Sequence, residues 1–268
     1  MSKKLGSSRW KRAVSVPLSS IIIGSTILTA IFGAVLLSNQ LIETQAEIAE
    51  FEQAKSAFLL FATSFEDVSL KPQSASHTVI HTRAGGLNLV RDIGNIEIKV
   101  INGSTETTIY SQSVNHLRFL GGRLVTVPGI TFLRGTGSAI VQGFSEPLGH
   151  VHVNQSGGAW TTLDFSRARV VRHGSFYLYT QQGVNEKVNL LEVTVVNLIP
   201  GDTYGSGTIR MRVENINVTT TAFRFDGNVV DIEVASLGDI ESVVLAGEGD
   251  DVATVVNLVV AYVRVSTL

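Results

Sequence analysis

The sequence predicts an α+β protein in which one long N-terminal helix, first transmembrane and then amphipathic, precedes an all-β, sandwich-like extracytoplasmic domain. Three observations lead to this prediction. No charged residue occurs between Arg12 and Glu43, helical periodicity continues to about Val68, and the hydrophobic period then changes from about 3.6 residues to about 2.

The apolar part of the charge-free stretch extends from Val14 to Leu37. As an α-helix rising about 1.5 Å per residue, these 24 residues span about 36 Å, enough to cross a hydrocarbon layer of about 30 Å. Five basic residues precede the run: Lys3, Lys4, Arg9, Lys11 and Arg12. Since basic residues stay on the cytoplasmic side, we predict a single-pass protein in the cell membrane with its N-terminus inside.

The helical pattern continues beyond the membrane through residues 38–70. Apolar side chains recur there every three or four residues, at Ile48, Phe51, Phe58, Ala62 and Phe65, and Leu59 and Phe61 widen the stripe. The pattern predicts one helix from about Pro17 to about Val68, whose second half lies on a folded domain. Residues 71–76 then carry the turn chemistry of a linker.

Residues 77–268 show the alternation of β-strands. Asn102–Gly103 and Asp226–Gly227 predict two hairpin turns. The alternation of apolar and polar residues shifts by one position near Asn215, which predicts a β-bulge there. The stretch from Val252 to Val265 is apolar on both faces, which predicts a central strand. Turn signals about every 8 to 14 residues favour a β-sandwich, either a single one or two small ones stacked together.

Composition excludes several classes of protein. Without the five N-terminal positive charges, 16 basic residues face 23 acidic ones, a net charge of −7. An acidic domain does not follow a phosphate backbone, so we expect no nucleic acid partner. Cysteine is absent, which excludes disulfides and thiolate metal sites.

The junction before the apolar run carries a leader signal. The order of basic residues, one small residue and a long apolar helix resembles the leader of type IV pilin-like proteins. The junction Arg12-Ala13-Val14-Ser15 is similar to the Arg-[Gly/Ala]-Val-Ser junction of archaeal pilins. The resemblance covers about residues 9–70. Bacterial pilins carry Glu at the fifth mature position, where this chain has Leu18; archaeal pilins often lack that Glu.

The resemblance implies a basic leader, residues 1–13, removed by a prepilin-type peptidase that cuts between Ala13 and Val14. It also implies that the exposed helix packs with its copies into a filament core, so that the partners are lipid, the peptidase and the chain itself. A structural subunit of an attachment filament is thus the first hypothesis. The alternatives are a non-assembling anchored binding or scaffold domain (minor pilin-like or stator-like) and an anchored hydrolase.

Other candidate sites are few. Three N-x-[ST] sequons mark acceptors for N-glycosylation, at Asn102, Asn154 and Asn217. Glu248, Asp250 and Asp251 offer oxygen ligands to calcium but lack the spacing of a calcium loop. No hydrolase motif occurs, so we predict neither an enzyme nor a cofactor.

Histidine pairs and aromatic side chains complete the candidates. His77 and His81 on a strand are too far apart to share a metal ion, and no carboxylate is evident beside His150 and His152. The aromatic residues of one stretch form either a sugar-stacking face or ordinary cross-strand pairs: Trp160, Phe176, Tyr177 and Tyr179.

Overall fold

The structure is a computed structural model that describes residues 9–179, 185–202 and 207–267, with side chains from Leu18 onward. The described residues form one helix, α1 (Arg9–Ser69), followed by β-strands, so the α+β class is confirmed. The chain divides into two compact units, Met1–Ala46 and Glu47–Leu268. The second half of α1 therefore belongs to the β domain.

Thirteen strands follow α1 in the described residues. In chain order they are β1 (Ala75–Thr82), β2 (Gly86–Asn102), β3 (Thr105–Leu120), β4 (Thr131–Arg134), β5 (Ile140–Gln142), β6 (His150–Gln155), β7 (Ala159–Asp164), β8 (Ala168–Tyr179), β9 (Asn185–Pro200), β10 (Gly207–Asp226), β11 (Val229–Ser236), β12 (Asp239–Ala246) and β13 (Ala253–Thr267). The first strand begins within the predicted linker, residues 71–76.

The strands form two sheets. The first has the order β1-β10-β13-β9-β8-β5, and the second has the order β12-β11-β2-β3-β7-β6-β4. The pairs β9–β13 and β5–β8 are parallel, and the other pairs are antiparallel. Side chains from both sheets share two hydrophobic clusters, one of which also includes α1.

Aromatic side chains attach the second half of α1 to the β domain. Phe51, Phe58, Phe61 and Phe65 are fully buried, as their spacing predicts. The ring of Phe65 stacks on Phe165 with centroids 4.1 Å apart. Ile48, the first residue of the predicted apolar stripe, is exposed, so the buried stripe begins later, at Phe51. Each buried Phe contributes about 2–3 kcal/mol by leaving water, so this half of the helix is part of the core.

Carboxylates on α1 bind the loops of the same domain. The Glu50 carboxylate accepts hydrogen bonds from the backbone N–H groups of Arg83, Ala84 and Gly85 at 2.8–3.0 Å. Glu66 likewise accepts from the Gly149 N–H at 2.7 Å. These bonds satisfy backbone N–H groups of the loops that have no strand partner. The polar side of α1 therefore stabilises the loops, and its apolar side is part of the core.

The first unit has the opposite character. Its large apolar side chains are at least half exposed from Leu18 to Ile42. The hydroxyls of Ser25, Thr26 and Thr29 donate to carbonyl oxygens one turn earlier in the helix. In the part of the chain that the structure describes, α1 is the one helix long and apolar enough to cross a membrane.

Local turn predictions had mixed outcomes. Asn102–Gly103 does connect the antiparallel strands β2 and β3, with Gly103 at φ +62°, and the β10 register shifts at Asn215 as predicted. β13 is also a central strand, between β10 and β9. The prediction of a hairpin at Asp226–Gly227 is wrong. β10 pairs in the first sheet and β11 pairs in the second, so this turn connects the two sheets.

Candidate functional site

A row of polar side chains crosses three neighbouring strands of the second sheet. His150 on β6 lies directly opposite Asp164 on β7, and His116 on β3 lies on the other side of Asp164. Side chains alternate along a strand, so this row lies on the face opposite Leu117 and Leu163, which belong to the core. His116, His150, His152 and Asp164 form the histidine cluster.

The β6–β7 hairpin sets the geometry of the cluster. Its turn contains Gly157 at φ +67°, a conformation that glycine adopts without strain. The pairs run from Gln155 opposite Ala159 to His150 opposite Asp164 without a register shift. His152 lies two residues from His150 on the same face, and their ring centroids are 5.3 Å apart.

Asp164 is the centre of the cluster and is only 2% exposed. Its Oδ2 atom lies 2.9 Å from His116 Nε2 and 3.3 Å from His150 Nε2. Ser166 donates its backbone N–H to Oδ1 and its hydroxyl to Oδ2, at 2.6 and 2.8 Å. Every oxygen of this buried carboxylate therefore has a close polar neighbour, as a buried charge requires.

Burial determines the charge states. Burial would raise the pKa of Asp164, but the neighbouring imidazoles and the Ser166 hydroxyl overcome it and lower that pKa to about 2. Burial also lowers the pKa of His150, and burial together with the neighbouring His150 lowers the pKa of His152 to about 4. At neutral pH the cluster thus combines an ionised carboxylate with neutral imidazoles at positions 150 and 152.

The cluster opens into a cavity of about 350 Å³. Phe132 on β4 forms one wall, with its ring centroid 5.5 Å from that of His150 and 5.7 Å from that of His152. Leu237, in the turn between β11 and β12, and Asp239, at the start of β12, also line the cavity. The cavity lies entirely within the β domain.

Arg167 holds the segment that borders the cavity, and it is 1% exposed. Its guanidinium donates to the carbonyl oxygens of Ser138 and Pro147 and to the side chains of Thr136 and Glu146, at 2.6–3.0 Å. The positive charge is thereby paired, and it stabilises the loop rather than remaining available to a ligand.

The predicted processing residues lie on α1: Arg12, Ala13 and Val14. Of the three sequon residues, Asn217 is exposed on β10, and Asn102 and Asn154 are half-buried. The Asn102 side-chain nitrogen donates to the Asp226 carbonyl oxygen at 2.8 Å. Of the three sequon residues, Asn217 therefore has the most accessible side chain.

Two of the three predicted calcium ligands already bind a cation of the protein itself. The Lys187 ammonium donates to the carboxylates of Glu248 and Asp250. Asp251 instead accepts from the Ser175 hydroxyl and the Glu248 N–H, each at 2.6 Å. Among residues 9–179, 185–202 and 207–267, no group of three or more His, Asp or Glu side chains is arranged to hold a metal ion.

The structure separates the proposed sugar-stacking residues. Trp160 lies on β7 in the second sheet, where Arg118 stacks 4.2 Å from its ring. Phe176, Tyr177 and Tyr179 lie exposed on β8 in the first sheet. The four side chains thus share no single face.

His150 and His152 are evident in the sequence, but their carboxylate partner Asp164 and the third histidine, His116, are not among the predicted site residues. A usable signal was present. Ser156-Gly157-Gly158 is a turn sequence, and a hairpin centred on Gly157 places residue 164 opposite residue 150.

Comparisons with known proteins add no assignment. No protein-family model, curated protein or solved structure matches this chain.

Proposed function

We propose that this chain is a structural subunit of an archaeal type IV pilus-like surface filament, made as a precursor and cut between Ala13 and Val14. The observation that carries the proposal is the exposed apolar surface of α1, from Leu18 to Ile42. Such a surface requires lipid or copies of itself. In this proposal it occupies the membrane before assembly and the filament core afterwards.

The polar groups of this segment suit both environments. The hydroxyls of Ser25, Thr26 and Thr29 donate hydrogen bonds to backbone carbonyls of the same helix. None of these three hydroxyl groups would therefore lack a hydrogen-bond partner in a hydrocarbon environment. A Cβ atom added at Gly24 or Gly33 would meet nothing within 4 Å, which leaves room for another helix to approach closely.

The β domain is then the sandwich-like head on the outside of the cell. Its two sheets supply the surface, and α1 is tied to it by buried aromatic rings. A head fixed to its own helix in this way transmits load to the filament core, which suits attachment.

The test is the mature N-terminus, measured by mass spectrometry of membrane and filament fractions from the native host. We expect a mature chain that begins at Val14. Ala13→Leu should leave the precursor intact and abolish filaments, whereas the matched variant Ala13→Gly should be processed. An uncut wild-type chain, or normal filaments from Ala13→Leu, would contradict the proposal.

The second candidate function is a non-assembling anchored domain that binds a ligand. The cavity at the histidine cluster favours it, since a purely structural head requires no such cavity. A wild-type chain that keeps its N-terminus and stays in the membrane would support this candidate instead.

A further inference from the structure

We propose that the cavity at the histidine cluster binds a neutral saccharide through its hydroxyl groups. The inference does not depend on processing or assembly, because the residues that carry it lie between positions 116 and 239 of the β domain. It concerns what the head recognises rather than how the chain is anchored.

Unpartnered ring nitrogens are the first observation. His150 is 7% exposed, yet its Nδ1 atom has no hydrogen-bond partner within the described residues, and the same holds for Nδ1 of His152. Both residues line the cavity. A buried polar atom without a partner costs about 1–3 kcal/mol, which a ligand that bonds to it would recover.

The charge of the cavity selects the kind of ligand. Asp164 and Asp239 are both at its lining, and the one lysine or arginine there in the described residues, Arg167, is paired with Glu146. An anionic ligand would therefore be repelled. A hydroxyl both donates and accepts, so it suits a neutral imidazole in either tautomer and also a carboxylate.

The wall of the cavity selects the ligand's shape. The Phe132 ring meets the rings of both histidines, so apolar surface stands directly beside the polar groups. Saccharide rings have this same division, with C–H groups on one face and hydroxyls around the edge. A volume of about 350 Å³ is at the small end of ligand pockets, which suits one or two sugar rings.

The test uses the full chain, purified in a detergent without a sugar headgroup so that the detergent does not compete. A printed array of neutral, sulfated and sialylated glycans identifies the best neutral glycan, and calorimetry with that glycan gives its dissociation constant. We expect saturable binding of neutral glycans, and we expect His152→Leu to weaken it at least about tenfold, the loss of one or two hydrogen bonds.

Matched variants separate the cavity from general effects. Phe132 is 43% exposed, so Phe132→Leu should fold normally and still weaken binding about fivefold through loss of the aromatic wall. Two controls outside the cavity should bind as wild type: His77→Leu on β1, and Phe144→Leu at an exposed loop position. Thermal unfolding of each variant checks that it is folded.

Three results would overturn the inference. The first is an array on which no neutral glycan binds the wild-type chain. The second is binding that survives unchanged in both His152→Leu and Phe132→Leu. The third is stoichiometric Zn²⁺ that persists through dialysis and is lost in His116→Ala, because the cluster would then be a metal site.

Discussion

At the scale of single residues, burial decides what the histidine cluster can do. His152 and Asp164 are ordinary titratable side chains whose environment shifts both pKa values downward. The carboxylate stays charged because imidazoles and a hydroxyl surround it. His152 stays neutral because burial disfavours a positive charge there, and the neighbouring His150 imidazole disfavours it further.

This arrangement predicts a pH-dependent stability. Unfolded histidine has a pKa of about 6.5, so between pH 6.5 and about 4 the unfolded chain binds a proton that the folded His152 does not. The free energy of unfolding should therefore fall by about 3 kcal/mol as the pH decreases through this window. Asp164 adds to the loss only below about pH 4, since its pKa in the folded state is the lower one.

Thermal unfolding of the full chain in detergent between pH 7.5 and 4 measures this effect. The variant His152→Leu should lose less stability on acidification than wild type, and His77→Leu, an exposed control, should behave as wild type. Identical pH profiles for wild type and His152→Leu would contradict the lowered pKa of His152 in the folded state.

A second prediction at this scale concerns the sequons. Asn217 is exposed, whereas the Asn102 amide is engaged by the Asp226 carbonyl oxygen. We expect glycopeptide mass spectrometry of protein from the native host to find a glycan at Asn217. Asn217→Gln should remove that mass and Asn102→Gln should not. A glycan at Asn102 alone would contradict this expectation.

At the scale of elements, α1 combines two surfaces with different requirements. Its second half buries a row of phenylalanines, and its carboxylates bind loop N–H groups. A helix of this kind is held by tertiary contacts rather than by propensity alone. Two substitutions separate the apolar contribution from the polar one.

The apolar contribution is tested at Phe58, which is fully buried between α1 and β3. Phe58→Ala should lower the free energy of unfolding by about 3–5 kcal/mol, because it removes a buried ring and leaves a cavity. Leu60 is 66% exposed on the same helix, and Leu60→Ala should change stability by less than about 0.5 kcal/mol. Denaturant unfolding measures both, and equal effects would place the core elsewhere.

The polar contribution is tested at Glu50. Glu50→Gln removes the charge that receives the N–H groups of residues 83–85, which should cost about 1–2 kcal/mol. Hydrogen exchange at those amides should accelerate. Glu52→Gln is the matched control, because the described ion pair of Glu52 is with Lys55 on the surface of the same helix. Unchanged protection of residues 83–85 in Glu50→Gln would contradict this assignment.

At the scale of the whole molecule, the exposed apolar segment decides where the chain can reside. Ser25 lies at the middle of the apolar run from Val14 to Leu37, which is the predicted membrane span. Ser25→Lys should reduce stable membrane insertion, since a charge at the centre of a span costs about 2.5–3.5 kcal/mol. Carbonate extraction of membranes measures this, with Ser25→Ala as the control. Full retention of Ser25→Lys in the pellet would contradict a span centred there.

The sequence by itself determined the elements whose signals are local. Each of these signals lies within one continuous stretch of sequence, where residue type and periodicity are enough to identify it: the charge-free run, the phenylalanine spacing, the Asn102–Gly103 turn and the bulge at Asn215. The end of α1 at Ser69 follows in the same way from the turn residues after it.

Only the tertiary structure decided which strands are neighbours. Asp226–Gly227 has the composition of a hairpin turn, yet β11 pairs with β2, far away in sequence, because Ile232 and Val234 are buried in that sheet. The histidine cluster likewise depends on strand pairing. His116 and Asp164 are 48 residues apart in sequence and lie close together because β3 pairs with β7. Strand pairing depends on how much apolar side-chain surface both sheets bury together, so a local sequence pattern does not predict it.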